Sequence, residues 1–305
     1  MSARSALKSV VEQVLVRSRA ADLARAIARS RALILAFHNV VPDEAAAEGD
    51  RSLHLPRARF AEQLDLLART HEVVPLDALL EPGAPRNGRP RIAITFDDAY
   101  RGAVCLAVEE LARRNLPATI FVAPALLGGR TLWWDTLLAS ADGTAEERRT
   151  HALHHLRGED AAIRDCARRS GLEESPVSEY AVTASEEELR AALRHPGLEL
   201  ASHSWSHPNL ARLTAAELRD ELERPLPWLR ERFERVSGWL AYPYGLSSPA
   251  VERAAAEAGY RAAVRVSGGW LPAGTPDRFA LPRFNVPAGL SREGFLLRTA
   301  GLLRA

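Results

Sequence analysis

Arg91-Ile92-Ala93-Ile94-Thr95-Phe96-Asp97-Asp98 is a short apolar run that stops at two adjacent carboxylates. Its length and β-branched residues mark it as a buried strand. Side chains alternate along a strand, so Asp97 and Asp98 are expected to diverge near its end. Two acids at that position need a compensating cation, because unpaired buried charge is costly. A metal ion on one carboxylate and proton chemistry on the other meets that need.

Further along, Leu198-Glu199-Leu200-Ala201 reads as another strand and runs into Ser202-His203-Ser204-Trp205-Ser206-His207. Two histidines spaced i, i+4 converge on one ion if the chain turns into a helix there. With one carboxylate they form three protein ligands. A coordination position is then left for water, as in hydrolytic rather than structural zinc-type sites.

Thr95-Phe96-Asp97-Asp98 and His203-Ser204-Trp205-Ser206-His207 resemble the first two motifs of the polysaccharide deacetylase family, the NodB-homology domains of carbohydrate esterase family 4. Ala241-Tyr242-Pro243-Tyr244-Gly245 is similar to the third motif. Three motifs in order are far more specific than any one. The likeness spans Leu33 to Val286, apart from a middle insertion. It implies a distorted (β/α) barrel of about seven parallel strands.

Composition agrees with an ordinary globular chain. At 305 residues it can bury a large core, as one domain or two. An apolar content of 47% and a net charge of +1 give no support for nucleic-acid binding. Cys105 and Cys166 lie far apart, so no disulfide framework or cysteine-based zinc site follows, which suits a reducing compartment. No apolar run is long enough to span a membrane, and the N-terminus lacks a secretory core and cleavage site. The expected location is cytoplasmic, with the inner membrane surface as a variant.

Residues 1–31 mix Lys8, Arg17, Arg19, Arg25, Arg29 and Arg31 with Val10, Val11, Val14 and Leu15, as basic amphipathic helices do. Two readings stand: a peripheral membrane contact near a lipid-linked sugar, or a helix packed on its own domain with a solvated basic face. Residues 32–290 form the deacetylase-like domain, and 291–305 a C-terminal helix or tail.

Within the domain, Leu33–Phe37 is a strand that delivers His38 at its end. Arg57–Arg69 is a helix with Phe60, Leu64 and Leu67 inward. Val73–Pro75, Ala118–Ala123, Trp239–Tyr242, Tyr260–Val264 and Leu281–Val286 are further strands, and Pro82–Pro90 is a loop. The helix after the Asp pair ends at Asn115, before Pro117. Ser185 with Glu188, and Thr214 with Glu217, are capping boxes. Pro225 and Pro227 interrupt the helix that Thr214 opens. Alternating strands and helices argue for a parallel α/β sheet, whose chemistry gathers at the strands' carboxyl ends.

The segment from about 128 to 196 breaks that rhythm and reads as a helical insertion. Trp133-Trp134-Asp135 stands at its entrance, either as a sugar-stacking wall or as an anchor for the insertion.

The resemblance implies N-deacetylation of an amino sugar. It assigns Asp98, His203 and His207 as ligands of a divalent metal, with Asp97 as general base. Zinc suits that set, and cobalt or nickel could also bind. The metal and the backbone near Tyr244, in the Pro243-Tyr244 turn, would meet the oxyanion. Trp205 and Trp134 would flank the substrate.

Two departures matter. Most relatives supply a late histidine as general acid, and this chain has none after His207. Relatives with permuted motifs use an N-terminal histidine, so the role passes to His38, an imidazole that titrates near neutrality. Ala241-Tyr242 stands where many relatives have an arginine, so Arg283 is expected to pair with Asp97 instead. Ala99 follows the Asp pair where glycine is common.

His54, His71, His151, His154, His155 and His195 read as solvated or packing residues. The leading function is a metal-dependent deacetylase of an N-acetylated glycan or glycoconjugate. The alternatives are a deformylase or deacetylase of a lipid-linked monosaccharide, and a catalytically silent glycan-binding domain.

Overall fold

The computed structural model describes residues 11–18, 20–45, 49–81, 88–138, 145–266, 268–271 and 277–303. Lys8, Val10 and Arg19 of the expected N-terminal helices, and residues 82–87 of the expected loop, lie outside that set.

Ten strands are present among the described residues: β1 (Ala32–Phe37), β2 (Asn39–Val41), β3 (His54–Pro56), β4 (Glu72–Val73), β5 (Arg91–Phe96), β6 (Ala118–Val122), β7 (Leu198–Ser202), β8 (Val236–Ala241), β9 (Ala262–Val264) and β10 (Phe284–Asn285). Seven form a curled parallel sheet in the order β10-β1-β5-β6-β7-β8-β9, with β4 paired to β5. β2 and β3 pair separately. The stretch 281–286 touches both edges of the sheet. Leu281 bridges to Val264, and Phe284 and Asn285 pair with Leu35 and Ala36. The chain's last strand therefore joins the two sides of a (β/α) barrel.

Strand parity sorts the core. Leu33, Leu35, Phe37, Ile92, Ile94 and Phe96 pack outward with Phe60, Leu64 and Leu67 of the helix Arg57–Thr70. Ile34, Ala93, Phe121, Ala201, Trp239 and Leu281 cluster on the other face, inside the barrel. Both faces are covered, which is why β1 and β5 read as near-continuous apolar runs rather than alternating ones. Extending the inward parity by two residues at a time reaches His38, Asp97, His203 and Arg283.

The helices follow their local signals. Both expected capping boxes form, at Ser185 and Thr214. Pro225 separates the helices Ala215–Glu223 and Pro225–Arg232. Asn115 takes a left-handed conformation (φ 51°) where its helix stops. One departure is local: Ala103–Ala107 is a π-helical turn that continues into the α-helix Val108–Arg113. Gly102, just before it, lies so close to β2 that a Cβ there would stand 2.0 Å from the Val40 carbonyl oxygen. The insertion is helical as expected, with Trp133–Leu137, Ala145–His154, Asp160–Arg169 and Glu186–Ala192.

Residues 11–17 and the helix Ala20–Ile27 pack on the C-terminal helix Arg292–Thr299 through Ala21, Leu297 and Ala300. The buried Glu12 accepts a hydrogen bond from Ser291 Oγ, the cap of the C-terminal helix (2.7 Å). No described helix is long and apolar enough to cross a membrane.

His71 ends the helix Arg57–Thr70, buried, with Nε2 donating to the Thr299 carbonyl (2.8 Å). Burial pulls its pKa from 6.5 down to about 4. A histidine held neutral in the folded state stabilises fully above pH 6.5 and loses that contribution as pH falls toward 4, by up to about 3 kcal/mol. His71→Gln keeps a donor but removes the titration. Its urea midpoint is expected to fall less steeply between pH 6.5 and 4 than the native protein's. Parallel curves would refute this account.

Candidate active site

Four strand ends build the site. β1 delivers His38, β5 delivers Asp97 and Asp98, β7 delivers His203, and the closing stretch carries Arg283. Asp97 keeps the inward parity of Ala93 and Thr95. Strand alternation would send Asp98 to the opposite face, but its left-handed backbone (φ 67°), followed by that of Ala99 (φ 48°), returns its carboxylate to the cleft that Asp97 faces. The two carboxylates therefore do not diverge as strand alternation alone expects: Asp97 Oδ2 lies 4.0 Å and Asp98 Oδ1 3.5 Å from the same His203 Nε2, and both line one cleft.

Arg283 is fully buried and grips Asp97 with two bonds of 2.7 Å, Nη1 to Oδ1 and Nη2 to Oδ2. Its Nη1 also donates to Thr95 Oγ1 (3.1 Å), and its guanidinium lies 5.3 Å from the centre of the Phe121 ring. Burial pushes the Asp97 carboxyl up, but the Arg283 charge, aided by His203 and His38, holds it well below the usual carboxylate range. Asp97 is therefore ionised.

Asp98 faces the histidines. Its Oδ1 lies 3.5 Å from His203 Nε2 and 3.2 Å from His207 Nε2, and the two Nε2 atoms are 3.2 Å apart. His203 Nδ1 donates to the Ala241 carbonyl (2.8 Å), which leaves the Nε2 lone pair turned inward. Burial pulls the His203 pKa down to about 4, against the opposing pull of Asp97, so the ring is neutral at pH 7. Asp98 Oδ1 is itself buried without a hydrogen-bond donor.

Asp98 Oδ1 and the two Nε2 atoms thus converge within 3.5 Å of one another. Donors around a tetrahedral ion with bonds of about 2.0–2.1 Å stand roughly 3.3–3.4 Å apart, which matches these separations. The trio is the group of His, Cys, Asp and Glu side chains able to hold a metal among the described residues. The expected helical turn does not form here. Ser204 (φ 63°) and His207 (φ 64°) are left-handed, and the imidazoles converge through a tight non-helical loop. Glu221 ties that loop down by accepting from the N–H groups of Trp205 and Ser206 (2.9 Å each).

The cleft above these groups holds about 550 Å³. His38, Asp97, Asp98, Trp134, Tyr244 and Gly245 line it. Tyr244 is left-handed (φ 58°), donates its hydroxyl to the Gly158 carbonyl and accepts from Trp133 Nε1, both at 3.1 Å. Its ring packs against His207 at 4.5 Å between centroids. Pro243 is buried beneath and sets the turn rather than lining the cleft.

Trp134 and Trp133 divide the two roles open to them. Trp134 forms cleft wall and packs on His207 (5.1 Å), whereas Trp133 anchors the insertion through Tyr244. Trp205 is a correction to the expected site. It stands outside the cleft lining, beneath the Arg224 guanidinium (3.9 Å) and against Trp228 (6.1 Å). The tie of its N–H to Glu221 turns this part of the loop toward the helix Ala215–Glu223.

Other contributors have no sequence motif. Asp135 is fully buried and accepts from Tyr100 OH (2.6 Å), His54 Nε2 (2.9 Å) and the Asp50 N–H (2.9 Å). Tyr100 OH in turn accepts from Trp134 Nε1 (2.8 Å), so this network orients the cleft wall. Of the two expectations for His54, solvated or packing, the packing one holds, with its side chain held inside this polar network. Asp50 ion-pairs with Arg149 of the insertion, and Glu146, Arg149 and Leu153 line one side of the cleft. Their i, i+3, i+7 spacing is a helical stripe, visible in sequence only once the helix's neighbour is known. His154 accepts from Arg212 Nη2 (3.1 Å) at the surface, away from the trio.

The sequence matches the polysaccharide deacetylase family over residues 84–263, more than half of the chain. The protein belongs to that family, whose members are hydrolases acting on carbon–nitrogen amide bonds. Among solved structures it is similar to the Streptococcus pyogenes deacetylase PplD in complex with acetate, at 17% identity and a TM-score of 0.59, covering 87% of this chain and 96% of that one. It is also similar to IcaB from Ammonifex degensii, at 15% identity and a TM-score of 0.59, covering 90% and 97%. A de-N-acetylase from Aggregatibacter actinomycetemcomitans shares 13% identity at a TM-score of 0.59, covering 90% and 100%. At these identities the likeness is one of fold. No curated protein matches the sequence.

Removing one partner of a buried pair strands the other charge. Arg283→Ala is expected to cost about 3–5 kcal/mol at neutral pH, and Arg283→Lys less, because it keeps the charge while losing the two-pronged grip. Urea denaturation of the purified variants measures both. A loss below about 1 kcal/mol for Arg283→Ala would show that Asp97 does not depend on this pairing.

Proposed function

We propose that the protein is a divalent-metal-dependent hydrolase that removes N-acetyl groups from an amino sugar. The observation that carries this reading is the Asp98, His203 and His207 trio at 3.2–3.5 Å spacing beside an arginine-clamped Asp97. Asp98, His203 and His207 would hold the ion, and zinc is the metal that best suits two imidazoles and a carboxylate. A divalent ion there would polarise the amide carbonyl and lower the pKa of bound water toward about 7.

The chain's own residues supply the rest. Asp97, ionised and fixed by Arg283, is oriented to accept the proton that the attacking water releases. Arg283 cannot lose its charge, so it keeps that carboxylate aligned throughout. His38 stands on the same inward parity at the end of β1 and lines the cleft. An imidazolium there would donate its proton to the departing amine, which otherwise leaves poorly. Backbone N–H groups at the left-handed Tyr244 turn would serve the developing oxyanion. Trp134 offers an apolar face to a sugar ring, and the Asp50–Arg149 pair offers acceptors and donors to its hydroxyl groups.

One observation favours a short or terminal sugar, as in a lipid-linked monosaccharide or small glycoconjugate. The insertion walls off one side of the cleft with Glu146, Arg149 and Leu153. A long polymer needs both ends of a groove open. A silent glycan-binding role is disfavoured by the gathering of Asp98, His203 and His207 with Asp97 and His38 in one cleft.

Metal analysis separates these roles. Asp98→Ala and His203→Ala are expected to purify without bound metal, and retained stoichiometric metal in either would refute the ligand set. His38→Ala is expected to keep its metal while turnover falls about 10²–10⁴-fold. A normal rate would remove His38 as the acid. Acetate release from N-acetylated monosaccharides, oligomers and lipid-linked sugars tests the reaction itself, and rates that rise with chain length would contradict the preference for short substrates.

A further inference from the structure

Among the described residues, every exposed large apolar side chain lies on one unit at the chain termini. Val11 and Val14 stand on the first helix, Leu23 and Ile27 on the second, and Leu302 just past the C-terminal helix. The second helix is inverted relative to a helix that serves only its own domain. Its inward positions are alanines, with Ala21 packed on Leu297 and Ala300 and Ala24 half-buried beside them. Its two largest apolar residues point out, Leu23 at 67% and Ile27 at 75% exposure. They are spaced i, i+4 and so form one stripe.

The first helix repeats the pattern. Leu15 and Val16 pack inward with the C-terminal helix, and Glu12 is held by Ser291. Val11 and Val14, spaced i, i+3, face out. These inward contacts fix the rotation of both helices and with it the direction of the outward stripes.

The exposed charges of this segment have one dominant sign. Arg17, Arg29 and Arg31 are exposed on the same unit, Arg31 with its guanidinium 5.7 Å from the centre of the Trp270 ring. Among the described residues of 11–31, the one exposed acid is Asp22, and Arg25 pairs with it. From this juxtaposition of outward apolar stripes and exposed arginines we infer that the terminal unit docks on an anionic lipid surface. Apolar side chains on such a face enter the boundary between headgroups and acyl chains, while guanidinium groups meet lipid phosphates. A second copy of the chain is a poorer occupant, since a two-fold contact through this unit would bring the two sets of arginines together.

Cosedimentation of the full chain with phosphatidylcholine vesicles, with and without phosphatidylglycerol, tests the inference. The native protein is expected to pellet with the phosphatidylglycerol vesicles and to be released progressively by salt, which screens the arginines. The double variant Leu23→Asp with Ile27→Asp is expected to bind at least tenfold more weakly while keeping the native far-ultraviolet circular dichroism and metal content. Val11→Asp with Val14→Asp provides an independent second pair. Absence of vesicle binding, unchanged affinity in both double variants, or a dimer that these variants dissolve without any vesicle binding would each overturn the inference. None of these outcomes depends on the deacetylase reading.

Discussion

The site depends on one buried contact, the two-pronged grip of Arg283 on Asp97. Asp97 lies inside the barrel, where an isolated carboxylate would take up a proton rather than stay charged. Arg283 removes that option, and the paired geometry also fixes the plane of the carboxylate. The arginine comes from the stretch that touches β9 on one side and β1 on the other. Closing the barrel and keeping Asp97 charged are therefore one structural event.

That arrangement divides the adjacent acids between two tasks. Asp97 follows the strand's inward parity to Arg283, and a left-handed backbone returns Asp98 to the same cleft, beside the imidazoles of His203 and His207. Similar side chains one residue apart thus acquire different surroundings: a two-pronged guanidinium for one, a pair of imidazoles for the other. The helical insertion adds a third layer. Trp133 ties it to Tyr244, and Trp134, Glu146 and Arg149 turn the open mouth of the barrel into a walled cleft.

Much of this was legible in the sequence because it rests on short-range rules. The strand ending in Asp97-Asp98, the i, i+4 histidines and the capping boxes at Ser185 and Thr214 each follow from local pattern. The family likeness then pointed to Arg283 as Asp97's partner, and the structure pairs them. What stayed hidden depends on contacts distant in sequence. Nothing near Asp135 announces that Tyr100 and His54 converge on it, and the cleft-facing stripe of the helix Ala145–His154 emerges only when its neighbours are known. Trp205 was misplaced for a related reason: it sits inside a motif, but Glu221 turns its backbone outward. The helical turn expected between the histidines fails because Ser204 and His207 take left-handed conformations, which a spacing rule cannot foresee.

The account stands or falls on where a divalent ion binds. Anomalous diffraction from zinc-loaded crystals gives the most direct answer. The prediction is a single strong peak within about 2.0–2.2 Å of Asp98, His203 and His207, with Asp97 still clasped by Arg283 and outside the coordination shell. A peak elsewhere in the chain, or one that draws Asp97 away from Arg283 to serve as a ligand, would contradict it.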